Sequence, residues 1–147
     1  MSQTYWSGPL ASGDKPAGSV GGSNVGLVVL SQTALVTFDT TLVQSVSINL
    51  PYGSQIVNIV ADVLTQYNSA TSATLSVGTA AGGTTYASGV NAKTGVRVTP
   101  TFTAAQLAAM ASIGNTAPVV ATVTSVGQPT AGQVRVTVMY VQTTSQD

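Results

Sequence analysis

The chain has 147 residues, 44% of them hydrophobic and only 5% charged, against about 25% charged in an ordinary globular domain. Four acids (Asp14, Asp39, Asp62, Asp147) balance four bases (Lys15, Lys93, Arg97, Arg135), so net charge is zero and no basic cluster is offered to a phosphate backbone. With no Cys, His or Glu, the chain cannot build disulfides, thiolate or imidazole metal sites, or a Ser-His-Asp or Cys-His catalytic group.

That length fits one domain with a sizeable core. Thr, Ser, Ala, Gly and Val fill the place of the charged residues, and this β-branched mixture leans all-β. The first residues lack the basic and apolar regions of a secretory signal, and no apolar run approaches about 20 residues. The expectation is a soluble protein made in the cytoplasm, without a membrane partner. Charge keeps free monomers apart, so so uncharged a surface hints at an assembly.

In chain order, residues 1–24 stand apart as an arm. Between Gly8 and Gly26 there are six glycines and two prolines with serines among them, too little apolar surface to offset the entropy of ordering. The tip of the arm nevertheless carries Tyr5 and the single Trp, Trp6, followed by Pro9 and Leu10. These four residues are the candidate partner-binding anchors, because buried aromatics dominate interface energetics. Residues 25–142 form the expected β domain and 143–147 a polar tail.

Within the domain, residues 25–30 and 33–38 are apolar runs separated by Ser31 and Gln32. Val46, Ile48 and Leu50 alternate with polar neighbours before the turn Pro51-Tyr52-Gly53-Ser54. Residues 55–67 place Val57, Ile59, Ala61, Val63, Thr65 and Tyr67 on one face of a long strand. The polar run 68–72 predicts a turn, and Leu75 and Val77 point inward from the returning strand of a long hairpin. A loop at 80–83 and short strands at 84–87 and 95–99 follow.

Residues 102–115 are the helical candidate, over about 103–113. Thr103 and Gln106 fit a capping box, Leu107, Met110 and Ala111 form the apolar stripe, and Gly114 or Asn115 suits the stop. Residues 119–126 and 133–142 read as a second hairpin, with Val134, Val136, Val138 and Tyr140 sharing a face. Eight or nine strands with one short helix predict an all-β sandwich with jelly-roll-like wiring.

The chemistry-bearing residues point away from an enzyme. Asp39-Thr40-Thr41 lacks the Gly of an aspartic protease motif and has no second copy, so Asp39 reads as a strand end. The glycine pairs at 21–22 and 82–83 lack the Gly-Lys-Ser/Thr of a phosphate loop. Asp62, with Asn58 and Gln66, has no calcium-loop spacing. An ion pair of Asp62 or Asp39 with Arg97 and Arg135 outweighs a metal site, and no cofactor is expected. Tyr52, Tyr67, Tyr86, Phe102 and Tyr140 are scattered, so packing outweighs a sugar platform.

Several stretches together carry a resemblance: residues 67–79 (YNSATSATLSVGT), Tyr86-Ala87-Ser88-Gly89, the helix over 102–111 and the final strand VRVTVMYVQ. Over roughly residues 25–142 the chain resembles small structural proteins from the head gene clusters of tailed bacteriophages, a group similar to capsid decoration or cement proteins. The resemblance implies a non-enzymatic β-rich subunit on the outside of the virion. It further implies a trimer bound to the major capsid protein, after synthesis in the host cytoplasm. It brings no catalytic residues, and the arm is not part of it. Two other readings stay open: a jelly-roll carbohydrate-binding module of a phage fibre, spike or secreted protein, and a self-assembling coat or tail-tube subunit.

Overall fold

The structure is a computed structural model, and it describes residues 27–114 and 118–142. Eight strands run in chain order: β1 (Val29–Thr37), β2 (Val43–Ile48), β3 (Ser54–Thr65), β4 (Ser72–Gly78), β5 (Ala87–Asn91), β6 (Arg97–Val98), β7 (Val119–Val126) and β8 (Gln133–Gln142). The helix α1 (Ala104–Met110) lies between β6 and β7. Sheet A has the order β1-β8-β3-β6 and sheet B the order β2-β7-β4-β5.

This order follows from one rule. The first four strands pair antiparallel with the last four in reverse, β1 with β8, β2 with β7, β3 with β6 and β4 with β5. The chain is in effect one long hairpin of four strand pairs, wound so that successive pairs alternate between sheets. That is the jelly roll.

The expected all-β sandwich is therefore present, but both expected hairpins are corrected. β3 and β4 lie in different sheets, and so do β7 and β8. The connections cross the end of the sandwich instead of reversing within a sheet. Tyr67 explains how: its ring is buried, its N–H donates to the Ala92 carbonyl (3.0 Å), and the adjacent Asn68 N–H donates to Ala131 (3.3 Å). The Asn68 carboxamide accepts from Thr130 and Ala131 N–H groups at 2.8 and 3.1 Å, tying the two crossovers together. Gly132 lies directly under the Tyr67 ring, where an added Cβ would come within 2.5 Å of it.

Ser31 and Gln32 do not interrupt β1, which runs unbroken along β8. The short strand expected at 84–87 lies later, at β5. The long strand β3 carries a bulge, because its register against β8 shifts between Ile56 and Asn58. The bulge reverses the inward phase, so Ile56 is buried at 3% and Val57 is 42% exposed, against the expected row. Downstream, Ile59, Ala61 and Val63 face inward as expected.

The core fills the space between the sheets. Val134, Val136 and Val138 of β8 meet Leu75 and Val77 of β4 and Val119, Ala121 and Val123 of β7, all with negligible exposure. α1 has the expected capping box: the Thr103 hydroxyl accepts from the Gln106 N–H and the Gln106 side chain accepts from the Thr103 N–H. Its buried face is corrected, since Met110 and Gln106 are buried and Leu107 is 53% exposed. Gln106 points inward because its Nε2 donates to the Thr84 carbonyl (3.1 Å), fastening the helix to the segment before β5.

Candidate functional site

The chemistry-bearing side chains of the described residues gather in few places. Asp62 sits centrally on the outer face of sheet A, between Arg135 of β8 and Arg97 of β6, the register neighbours on either side. Arg97 Nε lies 2.5 Å from Oδ1 and Arg135 Nη2 3.2 Å from Oδ2. The hydrogen bond from Arg97 dominates in holding the Asp62 carboxyl below its ordinary range, Arg135 adds to it, and partial burial opposes both. Arg97 is correspondingly raised. This is the ion pair expected from sequence. It holds the face together as a cross-strand staple and keeps the Asp62 carboxylate engaged on both oxygens.

Asp39 is likewise occupied. Its Oδ1 accepts from the Thr41 N–H and hydroxyl, both at 2.6 Å, and those bonds lower its pKa. It caps the turn between β1 and β2. Lys93 is spent on a loop, its ammonium donating to the Ser69 carbonyl at 2.6 Å. Among the described residues no three metal-ligating side chains cluster. Tyr67, Tyr86 and Tyr140 are buried, and desolvation pushes the Tyr67 phenol up to about 12. A cleft of about 430 Å³ opens beside β5 and β6, lined by Ser88, Asn91, Thr94, Thr99 and Thr101 among others. No aromatic side chain lines it, so it lacks the stacking face a sugar ring uses.

The two lateral sides of the sandwich differ more than any cleft does. One side ends in β5 and β6, short strands interrupted by a register shift at Leu75/Val77 and a positive-φ glycine (Gly89, φ 78°). Arg97 and Pro100 lie there, and α1 is fastened alongside. These are the devices that stop a sheet edge from pairing with another chain.

The other side ends in β1 and β2 and has none of them. Both strands keep register without a shift and carry no charge or proline. Their hydrogen-bonding phase is set by two contacts: Phe38 N–H donates to Gly132 (3.0 Å) and Ser125 N–H to Leu42 (2.8 Å). In an antiparallel ladder such pairs alternate. Residues 30, 32, 34 and 36 thus bond to β8, while Val29, Ser31, Thr33, Leu35 and Thr37 turn N–H and C=O outward. Among the described residues no strand lies beside that edge.

The same side is apolar. Of the fourteen large exposed hydrophobic residues among those described, eight fall between Leu27 and Val43: Leu27, Val28, Val29, Leu30, Leu35, Phe38, Leu42 and Val43. Val28 is 74% exposed, and Leu30, on the inward face of β1, still shows 43% although its register neighbours Tyr140 and Ile56 are buried, because β1 is the edge strand. A run of apolar side chains beside an open edge marks an interaction surface. The sequence anchors Tyr5, Trp6, Pro9 and Leu10 lie outside the described residues. The open side was missed by local reading, which treated residues 25–38 as ordinary strands. Its signal was present: between Lys15 and Asp62 the only charged residue is Asp39.

The fold and this surface define a jelly roll with one guarded and one open side. No family model matches the chain, and no curated relative matches its sequence. Among solved structures, the chain is similar to one from the cyanophage Pam1 capsid asymmetric unit. The identity is 20% and the TM-score 0.47, over 92% of this chain and 99% of that one. A likeness this distant transfers no role.

Proposed function

We propose that the chain is a non-enzymatic structural protein of a tailed-bacteriophage particle. In this reading it decorates and stabilises the outside of the head by binding major capsid subunits, and it does so as a trimer. The observation that carries the reading is the open side: an unguarded sheet edge with eight exposed apolar residues and no charge on either strand. The resemblance of residues 67–79, the helix and the final strand to phage head proteins gives that surface its partner class.

Physically, a decorating subunit needs a stiff body and several modest contacts that act together, because linked contacts multiply through effective concentration. The jelly roll supplies stiffness, the exposed side chains around β2 on the open side (Phe38, Leu42 and Val43) supply one contact, and the arm ending in Tyr5 and Trp6 supplies another. Apolar and backbone contacts are little screened by salt, so attachment should persist when salt is raised.

The test mixes the purified full chain with undecorated heads and measures occupancy and the stability of the heads. Saturable occupancy with stabilised heads is expected. Failure to bind, or specific retention of an oligosaccharide on a glycan array, would replace this reading with the sugar-binding one. Deleting residues 1–24 is expected to weaken attachment and leave the domain folded.

A further inference from the structure

We infer that the β1 edge pairs with the β1 edge of a second copy of this chain, antiparallel and about a two-fold axis at Thr33. The inference concerns copies of this chain alone and does not depend on the particle to which they attach. A two-fold contact of this kind would join neighbouring trimers on a head and would equally make dimers of free chains.

The argument rests on register. For two edge strands to bond, the residues whose N–H and C=O groups face outward must lie opposite one another. On β1 these are residues 29, 31, 33, 35 and 37, by the phase that Phe38 and Gly132 set. Rotation about Thr33 brings Thr33 opposite Thr33 of the second copy, Ser31 opposite Leu35, and Val29 opposite Thr37. Every outward-facing residue meets another outward-facing residue, so β1 is complementary to itself over its full nine residues.

The side chains fit the same arrangement. Like charges directly opposite destabilise a strand pair, and β1 has no charge. On the inward face Leu30, 43% exposed, comes beside the backbone of Val36 of the second copy and loses water there. Residues on the same side, Val28, Phe38, Leu42 and Val43, flank the new seam and lose water with it. β5 and β6 cannot do this, because β6 has only two residues and β5 is bent at Gly89, which has a positive φ.

The partner is thus a second copy, and an isologous contact gives a sharp test. The chain has no cysteine, so Thr33→Cys in the full chain places the one thiol of each copy on the axis. Opposite Cα atoms in a hydrogen-bonded pair lie about 5.5 Å apart, within disulfide reach. Mild oxidation is expected to yield a disulfide-linked dimer as the main product, read on a non-reducing gel. The control Leu107→Cys, also exposed but on α1, is expected to stay largely unlinked.

A second variant removes the contact without a thiol. Thr33→Lys sets two ammonium groups against each other on the axis, and is expected to weaken self-association at least about tenfold by sedimentation. Its circular dichroism should be unchanged, and so should its melting at dilutions where the parent is monomeric. If the Thr33→Cys thiol links no faster than the control, or Thr33→Lys associates as the parent does, the pairing is wrong. Occupation of the edge by the chain's own arm or by another protein would produce that same negative result.

Discussion

The two lateral sides of the sandwich are both edges of antiparallel sheets and are treated in opposite ways. On the β5/β6 side the strands are short, the ladder is broken by a register shift, Gly89 adopts a positive φ, and Gln106 fastens α1 to Thr84. On the β1/β2 side long unbroken strands turn their backbone groups outward among exposed Val, Leu and Phe. A sheet edge left bare attracts other strands, and proteins that remain single guard every edge. Guarding only one side makes any strand-to-strand association directional, and the proposed contacts with copies and partners fall on β1 and β2.

The comparison can be broken or sharpened by substitution. The largest effect belongs to neither side but to the core between them. Leu75→Ala is expected to cost about 2–5 kcal/mol, because Leu75 is fully buried and the sheets cannot close over the gap. Chemical denaturation reads it. On the guarded side, Gln106→Ala removes half of the capping box and the bond to Thr84. A loss of roughly 1–2 kcal/mol is expected, with no change in assembled mass.

The open side should behave in the reverse sense. Leu35→Lys, at an exposed outward-facing position, is expected to change subunit stability by less than about 0.5 kcal/mol, while reducing self-association measured by sedimentation. If it unfolds the chain, the edge is part of the core and the contrast fails.

The smallest effect is expected at the Asp62 staple. Its carboxyl pKa is lowered in the fold, so its contribution is present above the ordinary carboxylate value and disappears as pH falls through the folded value. The loss therefore lies below about pH 4. Asp62→Asn should flatten the acid limb of a melting-temperature profile. An unchanged limb would show that the ion pairs, which are partly solvent-exposed, contribute nothing measurable.

Much of this molecule was legible locally. The alternation in β8 gave its buried face, Leu75 and Val77 pointed inward, Thr103 and Gln106 closed the capping box, and the two arginines found Asp62. What failed was anything decided at a distance. The polar runs at 68–72 and 127–132 look the same whether the chain reverses in a sheet or crosses to the other one. The crossing is set by Tyr67 packing on Gly132, 65 positions away in sequence. The bulge at Val57 exists only relative to β8. Leu107 looked like the buried face of α1, but the Thr84 carbonyl drew Gln106 inward instead. The open side depends on which strands end the sheets, and that is a property of wiring. Only its lack of charge was written in the residues.

Amide hydrogen exchange of the full chain, followed from dilute to concentrated solution and then on undecorated heads, puts both sides in one experiment. Protection is expected to rise at residues 29, 31, 33, 35 and 37 as copies and heads are added, with β5 unaltered. Exchange at β1 that ignores concentration and heads alike, or protection appearing first at β5, would contradict assembly through the open side.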